Sequence, residues 1–220
     1  MKKEFAVIGL GRFGSSIVKE LQKLNVNVLA IDKDEAVINE YKDLVTEAVI
    51  GNTMDENVLK SVGITNFDHV IVAIGESIQG SILTTLILKD LGCEKVTVKA
   101  QNDYHGRVLE KIGADAVIHP ERDIGRLLAH RLVSTHTLDI LEISDNHSIV
   151  EFKAVEAFTN RTLDELDFRN KFGVSVLAIK RHEHIIVSPD SHTPILEDDI
   201  LILIASDEEL SHFEIVMGDN

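Results

Sequence analysis

Phe5-Ala6-Val7-Ile8-Gly9-Leu10-Gly11-Arg12-Phe13-Gly14 decides the fold: an apolar run enters a G-x-G-x-x-G turn, which leads into an amphipathic helix with Ile17, Val18, Leu21 and Leu24 on one face. A second apolar run, Val28-Leu29-Ala30-Ile31, follows and ends at Asp32. Uninterrupted apolar runs of this kind form strands buried on both faces, as in parallel sheets. The three glycines serve different ends. Gly9 permits the tight strand-to-helix turn, Gly11 lets the backbone approach a pyrophosphate, and Gly14 lets helix and sheet pack closely. The helix N-terminus then offers N–H groups to anionic oxygens. Asp32 stands 23 residues after Gly9, where a carboxylate accepts hydrogen bonds from ribose hydroxyls and repels a ribose phosphate. An unphosphorylated adenosine ribose is the ligand this unit is built to hold.

Working outward, strands and helices alternate through residue 120. A helix from Glu35 to Leu44 leads to a strand at Ala48-Val49-Ile50, and a helix from about Asp55 to Ser61 precedes the strong strand His69 to Ile74. Helix Ser77 to Leu91 closes on Gly92 and strand Lys95 to Lys99 follows; helix Asp103 to Ile112 closes on Gly113, before strand Ala116-Val117-Ile118. Six such repeats predict an α/β fold, a doubly wound parallel sheet whose ligand lies beyond the carboxyl ends of the strands. The residues there form the expected cofactor-binding set: Gly9, Gly11, Arg12, Phe13, Gly14, Asp32, Lys33, Asn52, Thr53, Ala73, Ile74, Gly75, Glu76, Lys99, Gln101 and Glu121. Asn52, Thr53 and Asp55 suit an adenine edge, although Thr53 and Asp55 also suit caps of the helix that starts there. Arg12, inside the glycine loop, is long enough to reach outer phosphates. Glu121 suits a cation bridging phosphates, since magnesium takes one or two carboxylates plus phosphate oxygens; a helix N-terminal acid is the ordinary alternative.

Composition narrows the partners. With 37 acidic against 22 basic residues the formal net charge is −15, which opposes nucleic acid and anionic lipid. A single cysteine, Cys93, excludes an internal disulfide framework, and no charged-then-apolar leader opens the chain, so a cytoplasmic location is expected. Apolar runs such as Ile200 to Ala205 fall well short of the ~20 residues that span a bilayer, so no membrane insertion is expected.

Beyond residue 120, Arg122 to Thr137 reads as a connector helix with an apolar stripe of Ile124, Leu127, Leu128, Leu132 and Val133. The boundaries expected are 1–120, a connector over 121–138, and a small α+β domain over 139–220. Strands are expected at Leu138 to Ile143, Ser148 to Ala154, Val174 to Lys180, His184 to Val187 and Ile200 to Ile204, with helices near Leu163 to Leu166 and Glu208 to Val216. Thr162-Leu163-Asp164-Glu165 is a capping box. Asp198 and Asp199 punctuate a turn. This module is too small for the substrate domain of a hydride-transfer enzyme, and His182, His184 and His192 lie on a polar hairpin without ligands at metal-binding offsets. Ser15 and Ser16 have no adjacent base. The expected activity is binding, with no catalysis. Helix Ser77 to Leu91 is apolar around more than one face (Ile78, Ile82, Leu83, Leu86, Ile87, Leu88, Leu91), which suits a homodimer contact as well as packing within the domain.

FAVIGLGRFG (5–14), HVIVAIGE (69–76), KAQN (99–102), KIGAD (111–115) and HPERD (119–123), together with the C-terminal module, closely resemble the RCK gating subunits of bacterial Ktr potassium uptake systems. The resemblance spans essentially the whole chain. It implies an RCK_N domain binding ATP or ADP, and an octameric ring of dimers docked beneath a membrane potassium channel subunit, with ATP favouring conduction. It assigns Arg12 to the terminal phosphate, Glu121 to a sodium or magnesium ion and Asp32 to ribose. It also implies an RCK_C domain taking cyclic di-AMP at its dimer interface through Asp167, Phe168, Arg169, Phe172, Ser175, Val176, His182 and Pro189. Position 175 departs from the pattern: relatives carry asparagine where this chain has Ser175. Core packing is the plain alternative for Phe168 and Phe172. The competing function is an NAD(H)-binding redox sensor or NAD-dependent oxidoreductase, which the same glycines and Asp32 would serve.

Overall fold

The computed structural model describes residues 3–133, 136–144 and 146–218. The chain divides into two units, Met1–Pro120 and Glu121–Asn220.

In the first unit six parallel strands, β1 (Glu4–Ile8), β2 (Asn27–Asp32), β3 (Glu47–Ile50), β4 (His69–Val72), β5 (Val96–Lys99) and β6 (Ala116–Ile118), lie in the order β3-β2-β1-β4-β5-β6. Five helices connect them: α1 (Arg12–Lys23), α2 (Glu35–Tyr41), α3 (Glu56–Ser61), α4 (Ile78–Asp90) and α5 (Asp103–Lys111). Strand order reverses between β1 and β4, where crossovers leave to opposite faces and open a crevice above the sheet. The apolar runs fill both faces, as parallel strands require. Ala6, Ile8, Leu29, Ile31, Val70 and Val98 pack with Leu59 of α3, Leu88 of α4 and Leu109 of α5. Val7, Val28, Ala30 and Ile71 pack with Val18 of α1 and Ile38 of α2 on the other side. One member of the expected α1 stripe is misplaced: Leu24 is the C-cap and is exposed, because the helix ends one residue before it.

The second unit opens with α6 (Pro120–Val133) and continues as a five-stranded antiparallel sheet of β7 (Thr137–Ser144), β8 (His147–Lys153), β9 (Ser175–Arg181), β10 (His184–Val187) and β11 (Ile200–Ser206), in the order β10-β9-β11-β8-β7. Helices α7 (Leu163–Leu166), α8 (Phe168–Phe172) and α9 (Asp207–Gly218) complete it. One sheet face carries Val150, Phe152, Ile179, Leu201 and Leu203 into a core shared with Phe158, Phe168 and Phe213. The rings meet edge to face, Phe158 to Phe168 at 5.1 Å and Phe172 to Phe213 at 5.3 Å between centroids.

The connector departs from expectation at both ends. It starts at Pro120, whose fixed φ suits a first helical turn, and Thr137 already belongs to β7, pairing with Phe152 and donating its hydroxyl to Glu214. Ser134 and Thr135, in the middle of the discrepancy, lie outside the described residues. The capping box is present as expected: Thr162 N–H donates to Glu165 Oε2 at 3.1 Å and Glu165 N–H to Thr162 Oγ1 at 3.3 Å. Asp199 does more than punctuate a turn. It is 1% exposed, its carboxylate accepts two hydrogen bonds from Arg181 at 2.7 and 2.8 Å and a third from Leu196 N–H at 2.8 Å, and it ties β9 to the approach of β11.

Candidate nucleotide-binding site

The glycine loop follows directly from three backbone requirements. Gly9 sits at φ +90°, and a Cβ there would lie 3.1 Å from the Ala73 carbonyl carbon and from Ile74 N, so the exits of β1 and β4 touch backbone to backbone. Gly14 presses α1 onto the same turn: a Cβ on it would lie 1.9 Å from the Gly9 carbonyl oxygen. Gly11 differs from both. No atom lies within 4 Å of where its Cβ would be, and it faces open space at the start of α1. It provides no side-chain cap, and the first turn of α1 contains no acidic residue. The leading N–H groups of α1 and its positive dipole end therefore face the crevice without a competing carboxylate from their own turn.

Asp32 braces this loop from β2. One carboxylate oxygen accepts the Leu10 N–H at 2.6 Å and the other the Asp34 N–H at 3.0 Å. Both oxygens retain lone pairs for further donors. The arrangement fixes an anionic acceptor beside the glycine loop, the placement that suits a ribose diol.

Around the rim the expected residues take distinct positions. Arg12 is exposed in the first turn of α1. Phe13 is half-buried, and the Lys99 ammonium lies 5.6 Å from its ring centroid, joining the glycine loop to the exit of β5. Lys33 and Glu76 face each other at 3.9 Å, linking the loops after β2 and β4 on either side of β1. Ala73 is buried, Gly75 has open space at its Cβ position, and its carbonyl accepts the Gln101 side-chain amide at 2.6 Å. Asn52 caps its own turn by accepting from Met54 N–H at 3.2 Å. Of the two residues read as caps for α3, Asp55 is one, accepting from Asn57 N–H at 2.9 Å; Thr53 is instead buried, with its hydroxyl 2.9 Å from that of Thr84. Glu121 lies beyond the division between the units, in the first turn of α6.

Pattern reading missed His105. It is buried, its Nδ1 accepts the Gln101 N–H at 3.2 Å, and it thereby shapes the turn that carries Gln101 to Gly75. Burial, and secondarily His119, hold its pKa below the ordinary value, so it rests as the neutral acceptor that this bond requires. A histidine set four residues after a rim glutamine, on the N-terminal turn of a helix, is the only signal the sequence offers for it.

In the second unit the eight residues carried over by resemblance separate into three groups. Phe168 belongs to the aromatic core, and Phe172 and Val176 pack partly buried against it. The rings meet those of Phe158 and Phe213. Asp167 and His182 take positive φ, 49° and 54°, at the turns before α8 and β10. Arg169, Ser175 and Pro189 are not part of the buried core.

A doubly wound parallel sheet with an open glycine turn, and a small antiparallel unit after it, make this an α/β protein of two domains. Residues 5–120 match the TrkA-N domain and residues 148–217 the TrkA-C domain. Ktr system potassium uptake protein C of Bacillus subtilis is 56% identical over 214 residues, 97% of each chain, and Ktr system potassium uptake protein A of the same organism is 48% identical over 212 residues, 96% of each. The chain belongs to this Ktr potassium uptake family. Its fold also matches the GsuK channel bound to NAD, with a TM-score of 0.71 at 19% identity, over 99% of this chain and 40% of that one. No described helix is long and apolar enough to cross a membrane.

Proposed function

We propose that this chain is the cytoplasmic regulatory subunit of a potassium uptake channel, gated by exchange of ATP and ADP in the crevice of its first unit. The observation that carries the reading is the contrast among the glycines: Gly9 and Gly14 are closed by protein backbone, while Gly11 alone of the three opens to space beside an uncapped helix terminus. That is the shape of a pyrophosphate seat, and Asp32 stands ready for the ribose. ATP brings one more phosphate than ADP. Arg12 and a magnesium or sodium ion held by Glu121 would grip that phosphate, so the two nucleotides stabilise different arrangements of paired subunits. Dimers assembled into an octameric ring would pass the difference to a membrane subunit of Ktr type. The second unit would take cyclic di-AMP as an inhibitor, with Arg169 toward phosphate, Phe168, Phe172 and Val176 toward adenine, and Asp167, Ser175, His182 and Pro189 around it.

The deciding experiment is calorimetric titration of the purified chain with ATP, ADP, NADH and cyclic di-AMP. ATP and ADP are expected to bind, and Arg12→Ala is expected to cost ATP about tenfold or more while leaving ADP nearly unchanged, the size of one hydrogen bond to a charged group. Equal losses for the two nucleotides would remove Arg12 from this role. Tight NADH binding with weak ATP binding would favour the redox-sensor reading that Asp32 also allows.

A further inference from the structure

The inner face of α4 is unusually rich in small side chains. Its buried positions are Gly80, Ser81, Thr84, Thr85 and Leu88, whereas Ile78, Leu83 and Leu86 are exposed. Small, hydroxyl-bearing side chains meet the protein alongside Leu88, with Ile82 and Ile87 partly buried against the same core, while Ile78, Leu83 and Leu86 stay exposed. The hydroxyls are also used unequally. Thr85 donates back to the Ser81 carbonyl at 2.7 Å, within its own helix, and the Ser81 hydroxyl has no partner among the described residues. Thr84 crosses to another element, its hydroxyl lying 2.9 Å from that of Thr53, with both residues buried.

Thr53 lies on a stiff loop. The Gly51 N–H donates to the Asp32 carbonyl at 2.9 Å, and the Asp55 N–H to the Asn52 carbonyl at 3.0 Å. A Cβ on Gly51 would lie 2.6 Å from Val58 Cγ1, which fixes the loop against α3. A continuous path therefore runs from Asp32, at the ribose position, through Gly51 and Thr53 to Thr84, and so to the residues beside it on the outer face of α4. We infer that the Thr53–Thr84 hydroxyl pair is the joint through which the nucleotide crevice moves α4, and that Thr84 is a positioning residue of the switch. The inference rests on the adenine-nucleotide reading of the crevice. A buried hydroxyl pair suits such a joint. It is directional, it is buried, and it transmits displacement of one element to the other.

The test is hydrogen exchange of the full chain, with and without saturating ATP, read over residues 78–90, alongside calorimetric affinity for ATP. In the unsubstituted chain ATP is expected to change exchange in α4 by roughly fivefold or more, the scale of one hydrogen bond's net worth. Thr84→Val, which keeps volume and removes the hydroxyl, is expected to abolish that response while changing ATP affinity by less than about threefold. Thr84→Ser is expected to restore it, Thr53→Val to reproduce the loss, and the double valine variant to be no worse than either single one, as for two halves of one bond. Persistence of the α4 response in Thr84→Val, or its loss in Thr84→Ser, overturns the inference. If the unsubstituted chain binds ATP without altering α4, this inference falls alone; if it does not bind ATP, the proposed function falls with it.

Discussion

Substituting alanine at two glycines of the same loop should separate folding from binding. At Gly14 the added methyl would sit 1.9 Å from the Gly9 carbonyl oxygen, 3.0 Å from its carbon and 3.1 Å from Ala73 Cβ. The nearest of these is backbone just past the end of β1, so α1 must lift by about an ångström before the contact reaches even the 3.0 Å that real Cβ atoms essentially never undercut. Overpacking of this sort costs about 1–3 kcal/mol, and an unyielding backbone partner puts Gly14→Ala at the upper end, less the ~0.5–1 kcal/mol that alanine regains over glycine within a helix. A net loss of about 2 kcal/mol lowers the melting midpoint of a unit this size by roughly 6–12 °C. At Gly11 the same methyl meets nothing, and φ is −60°, a value alanine adopts freely. Gly11→Ala should therefore melt within about 3 °C of the parent, since the helix-capping loss and the unfolded-state gain are each under ~1 kcal/mol and opposed. Its ATP affinity should drop at least tenfold, because the methyl occupies the seat of the pyrophosphate. Scanning fluorimetry and calorimetry on the two proteins give both numbers. If Gly11→Ala binds ATP like the parent, the pyrophosphate does not sit where this geometry puts it, and if Gly14→Ala melts like the parent, the close approach of α1 to β1 is not what fixes the loop.

Three further expectations rest on single features. Asp32→Ala removes the acceptor of the Leu10 N–H and the ribose partner together, and should weaken ATP and ADP alike by about tenfold or more, as for loss of a charged hydrogen bond; a loss confined to one nucleotide contradicts the ribose assignment. Arg181→Ala strands the buried Asp199 carboxylate with only the Leu196 N–H, and should cost the second unit about 3 kcal/mol, the lower end for breaking a buried pair because Arg181 itself is a quarter exposed; urea unfolding with no shift in midpoint counts against it. His69 and His105 both have pKa values held below 6.5, chiefly by burial, with Lys95 assisting at the first and His119 at the second. The unfolded chain thus takes up protons first, so their contribution is complete above pH 6.5 and declines as pH falls through 6.5 toward the folded-state values. Melts from about pH 8 to about pH 5.5 should show a falling midpoint, and a rising one would mean the histidines gain charge on folding.

Much of the first unit is legible in the sequence because its strands are buried on both faces. Val28 to Ile31 and Val70 to Val72 leave no polar position to confuse the period, and Gly92 and Gly113 take the positive φ that ends α4 and α5. The glycine loop reads equally well, since backbone clashes admit no other residue at Gly14. Where the reading fails, long-range contacts decide. Thr53 looks like a helix cap and is a buried partner of α4, because the residue it meets is 31 positions away. Asp199 looks like turn punctuation and anchors Arg181, 18 positions earlier. Phe168 and Phe172 are ligand contacts by likeness, and no local pattern says that they also join a cluster of five rings. His105 follows no pattern that sequence alone distinguishes from a solvated helix residue.

The small side chains on the buried face of α4, and the leucines on its exposed one, set the rules of substitution there. Leucine introduced at Ser81 or Thr84, a change that hydropathy would recommend for a buried site, would wedge the helix off its bed. Lysine at Leu83 or Leu86 should leave the isolated chain folded and more soluble, and would be tolerated only for as long as no other surface requires those side chains.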